Sequence, residues 1–117
     1  MKIAAFEVRP DEKTSFARWA KAYNVEVKEY SEIPSLENAD LVAGCEGVTF
    51  LGQGKINREL LAEYKKLGVS YVSTRTIGSD HIDLEAAREL GILVCNANYA
   101  PDSVADFTVM MMLMCLR

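Results

Sequence analysis

The sequence predicts an α/β fold built on a five-stranded parallel sheet with helices on both faces. Strand-like and helix-like segments alternate five times along 117 residues, and such alternation implies parallel pairing through right-handed crossovers. The length suits one compact domain, and a chain that is 50% hydrophobic and 26% charged is globular in composition. Helix punctuation is present as well: Asn57 and Asp83 stand where N-caps belong, and Gly68 and Gly91 where helices stop. Five units in this length point to a doubly wound, flavodoxin-like sheet in the order 2-1-3-4-5, with three layers αβα.

The elements follow in order. Lys2–Val8 reads as a short apolar strand. Asp11 is placed to cap a helix to about Tyr23, with Phe16, Trp19, Ala20 and Tyr23 on one face. Val25–Tyr30 alternates apolar and charged residues, as an outer strand does. Ile33–Asn38 is a weak helix or turn, and the apolar run Leu41–Cys45 is read as the third strand. Asn57 caps a helix to Leu67, with Glu59 in its first turn and Lys65 and Lys66 in its last, an order that suits the helix dipole. Ser70–Thr74 is the fourth strand, Asp83 caps the helix Leu84–Leu90, and Ile92–Asn96 is the fifth strand. Ser103 and Asp106 form a capping-box pattern that opens a last helix.

That last helix has no polar face after Thr108: Val109, Met110, Met111, Met112, Leu113, Met114, Cys115 and Leu116 follow without a break. A helix on one side of a sheet needs a single apolar stripe, so this one is expected to be covered from outside the domain.

Composition narrows the function classes. The net charge is −4, with no Lys/Arg cluster of the kind a nucleic-acid binder needs. The longest apolar stretch is too short to span a membrane. Cys45, Cys95 and Cys115 are odd in number and widely spaced, which fits free thiols, and no metal-ligand spacing joins them to His81. With no signal-peptide pattern at Met1-Lys2-Ile3, the expected location is the cytoplasm.

Ligands of open α/β sheets bind at the carboxyl ends of the strands. After strand four stands Thr74-Arg75-Thr76-Ile77-Gly78-Ser79-Asp80, where Gly78 either makes the turn or lets backbone N–H groups approach a small anion. After strand five, Pro101 restricts Ala100 to an extended conformation, and Tyr99 is free to present its hydroxyl beside the sheet. These loops flank adjacent strands and can build one site.

Other features resemble chemistry more than they support it. Gly52-Gln53-Gly54 looks like the start of a dinucleotide fingerprint, but its third glycine is Asn57 and it follows the wrong strand. His81 lacks an evident orienting partner for general-base work. Asp83 is committed as a cap, which removes the Asp80–Asp83 pair.

The run Tyr71-Val72-Ser73-Thr74-Arg75-Thr76-Ile77-Gly78-Ser79-Asp80-His81-Ile82-Asp83 closely resembles D-lactate dehydrogenases and their relatives, the vancomycin-resistance enzymes included. So do Ala86-Ala87-Arg88-Glu89-Leu90-Gly91-Ile92 and Asn98-Tyr99-Ala100-Pro101-Asp102-Ser103-Val104-Ala105-Asp106 with the Met-rich helix. The chain thus resembles the N-terminal substrate-domain portion of the D-isomer-specific 2-hydroxyacid dehydrogenases.

The resemblance implies a flavodoxin-like substrate domain over residues 1–100. Residues 101–117 are then an apolar helix crossing to a missing NAD-binding Rossmann domain, after which the chain returns to complete the first domain. It implies reduction of a 2-oxo acid by NADH, with an Arg, a Glu and a His that lie beyond this chain. Arg75 and His81 do not occupy those motif positions, so no catalytic residue is expected here. By the same resemblance, backbone N–H groups at Ile77 and Gly78 bind the substrate carboxylate, Tyr99 and Cys45 line the substrate pocket, and Val104 touches the nicotinamide side. No metal and no tight NAD binding are expected of this chain, nor activity by itself.

A stand-alone flavodoxin-like binding or self-association module is the alternative, in which a second copy covers the last helix. A receiver domain would add to Glu7 and Glu46 a lysine where Ala97-Asn98-Tyr99 stands, and a flavin binder a Ser/Thr-rich loop in place of Val8-Arg9-Pro10-Asp11.

Overall fold

The computed structural model describes residues 1–100 and 102–116. Pro101, with its expected effect on Ala100, and Arg117 lie outside the described residues. Five strands form one parallel sheet in the order β2-β1-β3-β4-β5, as the alternation predicts. They are β1 (Lys2–Ala5), β2 (Glu26–Glu29), β3 (Gly47–Phe50), β4 (Tyr71–Thr74) and β5 (Leu93–Cys95). The helices are α1 (Lys13–Tyr23), α2 (Arg58–Lys66), α3 (Leu84–Glu89) and α4 (Asp102–Cys115).

Two of the predicted caps are made. Asn57 Oδ1 accepts the Leu60 N–H at 3.1 Å, and Asp83 Oδ1 accepts that of Ala86 at 2.8 Å. The other two are corrected. Helix α1 is preceded by Glu12, which makes no side-chain cap, while Asp11 pairs with Arg9 at 3.1 Å. Helix α4 is already formed at Asp102, so Ser103 lies inside its first turn.

The third strand is also displaced. Leu41–Cys45 is not a strand: Leu36–Val42 is 3₁₀-helical, and Gly44, at φ +75°, turns the chain towards β3. An apolar run reports burial before it reports geometry, and Ala39, Val42 and Cys45 are all buried. The strand forms instead at Gly47-Val48-Thr49-Phe50, where β-branched and aromatic residues favour the pleat.

Alternate residues along the strands serve opposite faces. Ala4, Val48, Phe50 and Val72 join Leu60, Leu61 and Tyr64 of α2 and Ala86 and Ala87 of α3 in one core. Among the described residues the opposite face carries only α1, and a groove of about 390 Å³ remains between Phe16, Trp19 and Tyr23 of α1 and Ile3, Thr49 and Tyr71 of the sheet. The face predicted for α1 is therefore only partly covered, with Tyr23 72% exposed. Helix α4 has no buried residue, and every large apolar side chain on it is at least 45% exposed.

Candidate functional site

The carboxyl ends of β1, β3 and β4 are tied together by two charged side chains. Arg75, the first residue after β4, donates its N–H to the Phe50 carbonyl at 2.8 Å. Its Nη2 donates to the carbonyls of Phe6 and Glu7 at 3.0 and 2.9 Å, and its Nε to Glu12 Oε1 at 3.1 Å. The guanidinium also lies over the Phe16 ring, 5.5 Å from its centroid. Arg75 thus braces the start of α1 against the sheet.

Glu7 makes the second tie. Its backbone has φ 54°, which ends β1 and brings the carboxylate to the loop after β3. Oε2 accepts the N–H groups of Leu51 and Gly52, the latter at 2.7 Å, and Oε1 accepts that of Gln53 at 2.9 Å. Successive backbone N–H groups form a nest that binds an anion, and here the anion is internal. The Gly52 and Gln53 N–H groups are therefore not offered to a pyrophosphate.

The loop after β4 is arranged differently. Thr76 donates its hydroxyl to the Gly78 carbonyl at 2.8 Å, and Asn96 Nδ2 donates to the Ile77 carbonyl at 2.8 Å. The Ala97 N–H reaches the Thr76 carbonyl at 3.0 Å, so the loops after β4 and β5 are held side by side. The carbonyls of residues 76, 77 and 78 are all engaged. Among the described residues, the N–H groups of Ile77 and Gly78 donate to no protein acceptor, and both residues are exposed. A Cβ placed on Gly78 would meet no atom within 4 Å.

Tyr99, in the adjoining loop, is half exposed, and Val104 is exposed on α4. The loops that carry Ile77 and Gly78 and, further along, Tyr99 therefore adjoin at one end of the sheet, with Val104 on the helix that follows. Cys45 is not with them. It precedes β3 and lies at the amino end of the sheet, 1% exposed, with burial raising its thiol pKa. Its expected place facing a substrate rested on a strand ending at residue 45, and β3 instead ends at Phe50.

His81 is at the same end as those loops but turned inward: its ring meets Phe50 edge-on at 5.7 Å, and Nε2 lies 3.2 Å from the Thr74 hydroxyl. No group of three or more His, Cys, Asp or Glu suited to a metal occurs among the described residues. Among the described residues, no helix is long and apolar enough to cross a membrane. Sequence reading missed Glu7, Thr74 and Asn96 as builders of this end of the sheet. An acidic residue within the apolar run Lys2–Val8 was the available signal for Glu7; the other two carry none.

Comparison with known proteins decides the family. Residues 3–111 match the profile of the D-isomer-specific 2-hydroxyacid dehydrogenase catalytic domain. The chain belongs to this family. An aromatic 2-oxoacid reductase of Clostridium sporogenes is 42% identical over 110 residues, which cover 93% of this chain and 33% of that protein. The apo-structure of D-lactate dehydrogenase from Escherichia coli superposes with a TM-score of 0.87 at 30% identity, covering 97% of this chain and 37% of that one. A D-isomer-specific 2-hydroxyacid dehydrogenase of Lactobacillus delbrueckii ssp. bulgaricus, solved in its NAD-complexed form, superposes at 0.83 with 28% identity over all of this chain and 36% of its own. This dehydrogenase chain thus spans about a third of the length of the relatives it matches. In the glycine loop after β3, the Leu51, Gly52 and Gln53 N–H groups are taken by Glu7.

Proposed function

We propose that this chain is the substrate-side wall of an NAD-dependent D-2-hydroxyacid dehydrogenase, the whole protein reducing a 2-oxo acid to its D-2-hydroxy acid with NADH. The observation that carries the reading is the loop after β4, whose Ile77 and Gly78 N–H groups stand unengaged on an exposed rim. Backbone N–H groups bind an anionic oxygen through charge-assisted hydrogen bonds. A substrate carboxylate held there would lie beside the loop that carries Tyr99, with Val104 towards the nicotinamide.

On this reading residues 1–100 form the substrate domain, and residues 101–117 lead to an NAD-binding domain that covers α4. A returning segment of the longer chain covers the groove beside α1. Proton transfer to the substrate and the cofactor contacts other than Val104 fall to groups outside this chain. The 117 residues alone are expected to be inert, since the reaction requires substrate and cofactor to be held against each other. Three free cysteines fit a reducing compartment, and we place the protein in the cytoplasm.

The exposed apolar surface of α4 favours a second reading, in which two copies bury their α4 helices against each other. The size of the polypeptide in its native source, from an immunoblot with intact mass, separates the two. A species much longer than 13.0 kDa that oxidises NADH with a 2-oxo acid is expected. A native 13 kDa chain that dimerises and oxidises no NADH would overturn the enzyme reading in favour of the module.

A further inference from the structure

Behind the loop after β4 runs a line of three side chains that the reading above does not use. His81 Nε2 lies 3.2 Å from Thr74 Oγ1, Thr74 Oγ1 lies 2.7 Å from Thr76 Oγ1, and Thr76 Oγ1 donates to the Gly78 carbonyl at 2.8 Å. A hydroxyl has one hydrogen to donate, and a carbonyl has none. Thr76 spends its hydrogen on Gly78, so Thr74 must donate to Thr76, and Thr74 must then accept from His81. The direction of every bond is set from the carbonyl backwards, and it requires a hydrogen on His81 Nε2.

Thr74 is 1% exposed, so its hydroxyl has no water to replace a lost partner. The histidine ring is fixed from two further sides. It meets Phe50 edge-on, and a Cβ added at Gly52 would come within 3.0 Å of Cε1 and Nε2.

We propose that His81, Thr74 and Thr76 are positioning residues: their one-way hydrogen-bond chain fixes the Gly78–Ser79 peptide, and with it the turn that directly follows the Ile77 and Gly78 N–H groups offered to a substrate carboxylate. The inference rests on the substrate-site reading above. None of the three touches the substrate; each acts through the peptide it holds.

The test uses the 117-residue chain and two independent readouts. The first is the ¹⁵N shift pattern of the His81 ring, which is expected to show the hydrogen on Nε2. A neutral ring with its hydrogen on Nδ1 alone would overturn the chain of bonds. The second is titration with pyruvate, followed at the Ile77 and Gly78 amides. Thr76→Val is expected to weaken binding by about tenfold, the loss of roughly one hydrogen bond's worth of order, and Thr76→Ser to restore it to within about twofold of the parent. Thr74→Val and Thr74→Ser repeat the comparison at the buried link. Should Thr74→Val not fold, the exposed link at Thr76 still decides. Equal affinities for valine and serine variants would overturn the positioning role. No pyruvate shift in the parent chain would overturn the carboxylate-site reading and the role built on it, while an Nε2–H signal in that sample would leave the bond chain standing as structure alone.

Discussion

Glu7 Oε2 accepts the Gly52 N–H at 2.7 Å, across 45 positions of sequence and between the ends of two neighbouring strands. With the Leu51 and Gln53 bonds, the carboxylate fills a nest that a phosphate would otherwise suit. Glu7 is 5% exposed, so its carboxylate has little water to turn to in place of the three N–H groups.

Glu7→Gln is therefore expected to cost about 2–4 kcal/mol of stability, because hydrogen bonds to a buried charged acceptor are the strong ones. The amide keeps one accepting oxygen and sets an NH₂ against the remaining N–H. Urea unfolding of parent and variant measures it. A loss below about 0.5 kcal/mol would mean that the loop holds its shape without the carboxylate.

Gly52→Ala is expected to fail for two separate reasons. Its φ of +102° is costly for any residue with a Cβ, and the added Cβ would sit 3.0 Å from the His81 ring. Together these are expected to cost about 1–3 kcal/mol and to shift the His81 ring resonances. Those resonances separate the contact with His81 from the backbone strain, which needs no movement of the ring.

The strand order was legible in the sequence because it depends on alternation, which survives errors at individual boundaries. The third strand was misplaced because Leu41-Val42-Ala43 and Cys45 are as apolar as a buried strand. Val42 and Cys45 are indeed buried, but the geometry of the segment is 3₁₀ and turn. The site divides in the same way. Ile77, Gly78 and Tyr99 lie in loops that follow the adjacent strands β4 and β5, and strand order alone makes that adjacency readable. The Glu7 nest and the line from His81 to Gly78 depend on a left-handed φ at Glu7 and on side-chain directions that no periodicity encodes. Misplacing β3 also carried Cys45 to the wrong end of the sheet.

Cys45 supplies a chemical test of that placement. It is buried at the amino end of β3, and burial raises its thiol pKa, whereas Cys95 and Cys115 are exposed. Thiolate is the reactive form, so a disulfide reagent at pH 8 is expected to label Cys95 and Cys115 promptly and Cys45 only when the chain unfolds. Rapid labelling of Cys45 in the folded chain would contradict the assigned end of the sheet.

Helix α4 contributes no buried residue to the domain, so its removal is expected to leave the rest intact. A chain lacking residues 102–117 is expected to melt within about 3 °C of the parent, less than the roughly 4 °C that one lost kcal/mol gives at this size. It should also self-associate less, since Phe107, Met110, Met111 and Met114 leave with the helix. Circular dichroism and sedimentation velocity report the two effects. A large fall in melting temperature would show that α4 packs on the sheet in solution.

Tyr64, in contrast, is wholly buried on α2, and its hydroxyl has no hydrogen-bond partner among the described residues. Burial raises its pKa far above the ordinary value of 10.0. The folded state thus holds the phenolic proton more tightly than the unfolded state does. The folded chain keeps full stability from this group below pH 10 and loses it progressively as the pH climbs from there towards the folded value. Tyr64→Phe removes both liabilities. At pH 7 it is expected to leave stability unchanged or raise it by about 1 kcal/mol, since an unpaired buried hydroxyl is costly. Above pH 10 the advantage over the parent should widen with pH. Urea midpoints at pH 7 and pH 10.5 measure both, and a variant weaker than the parent by more than about 1 kcal/mol at pH 7 would show that the hydroxyl has a partner in solution.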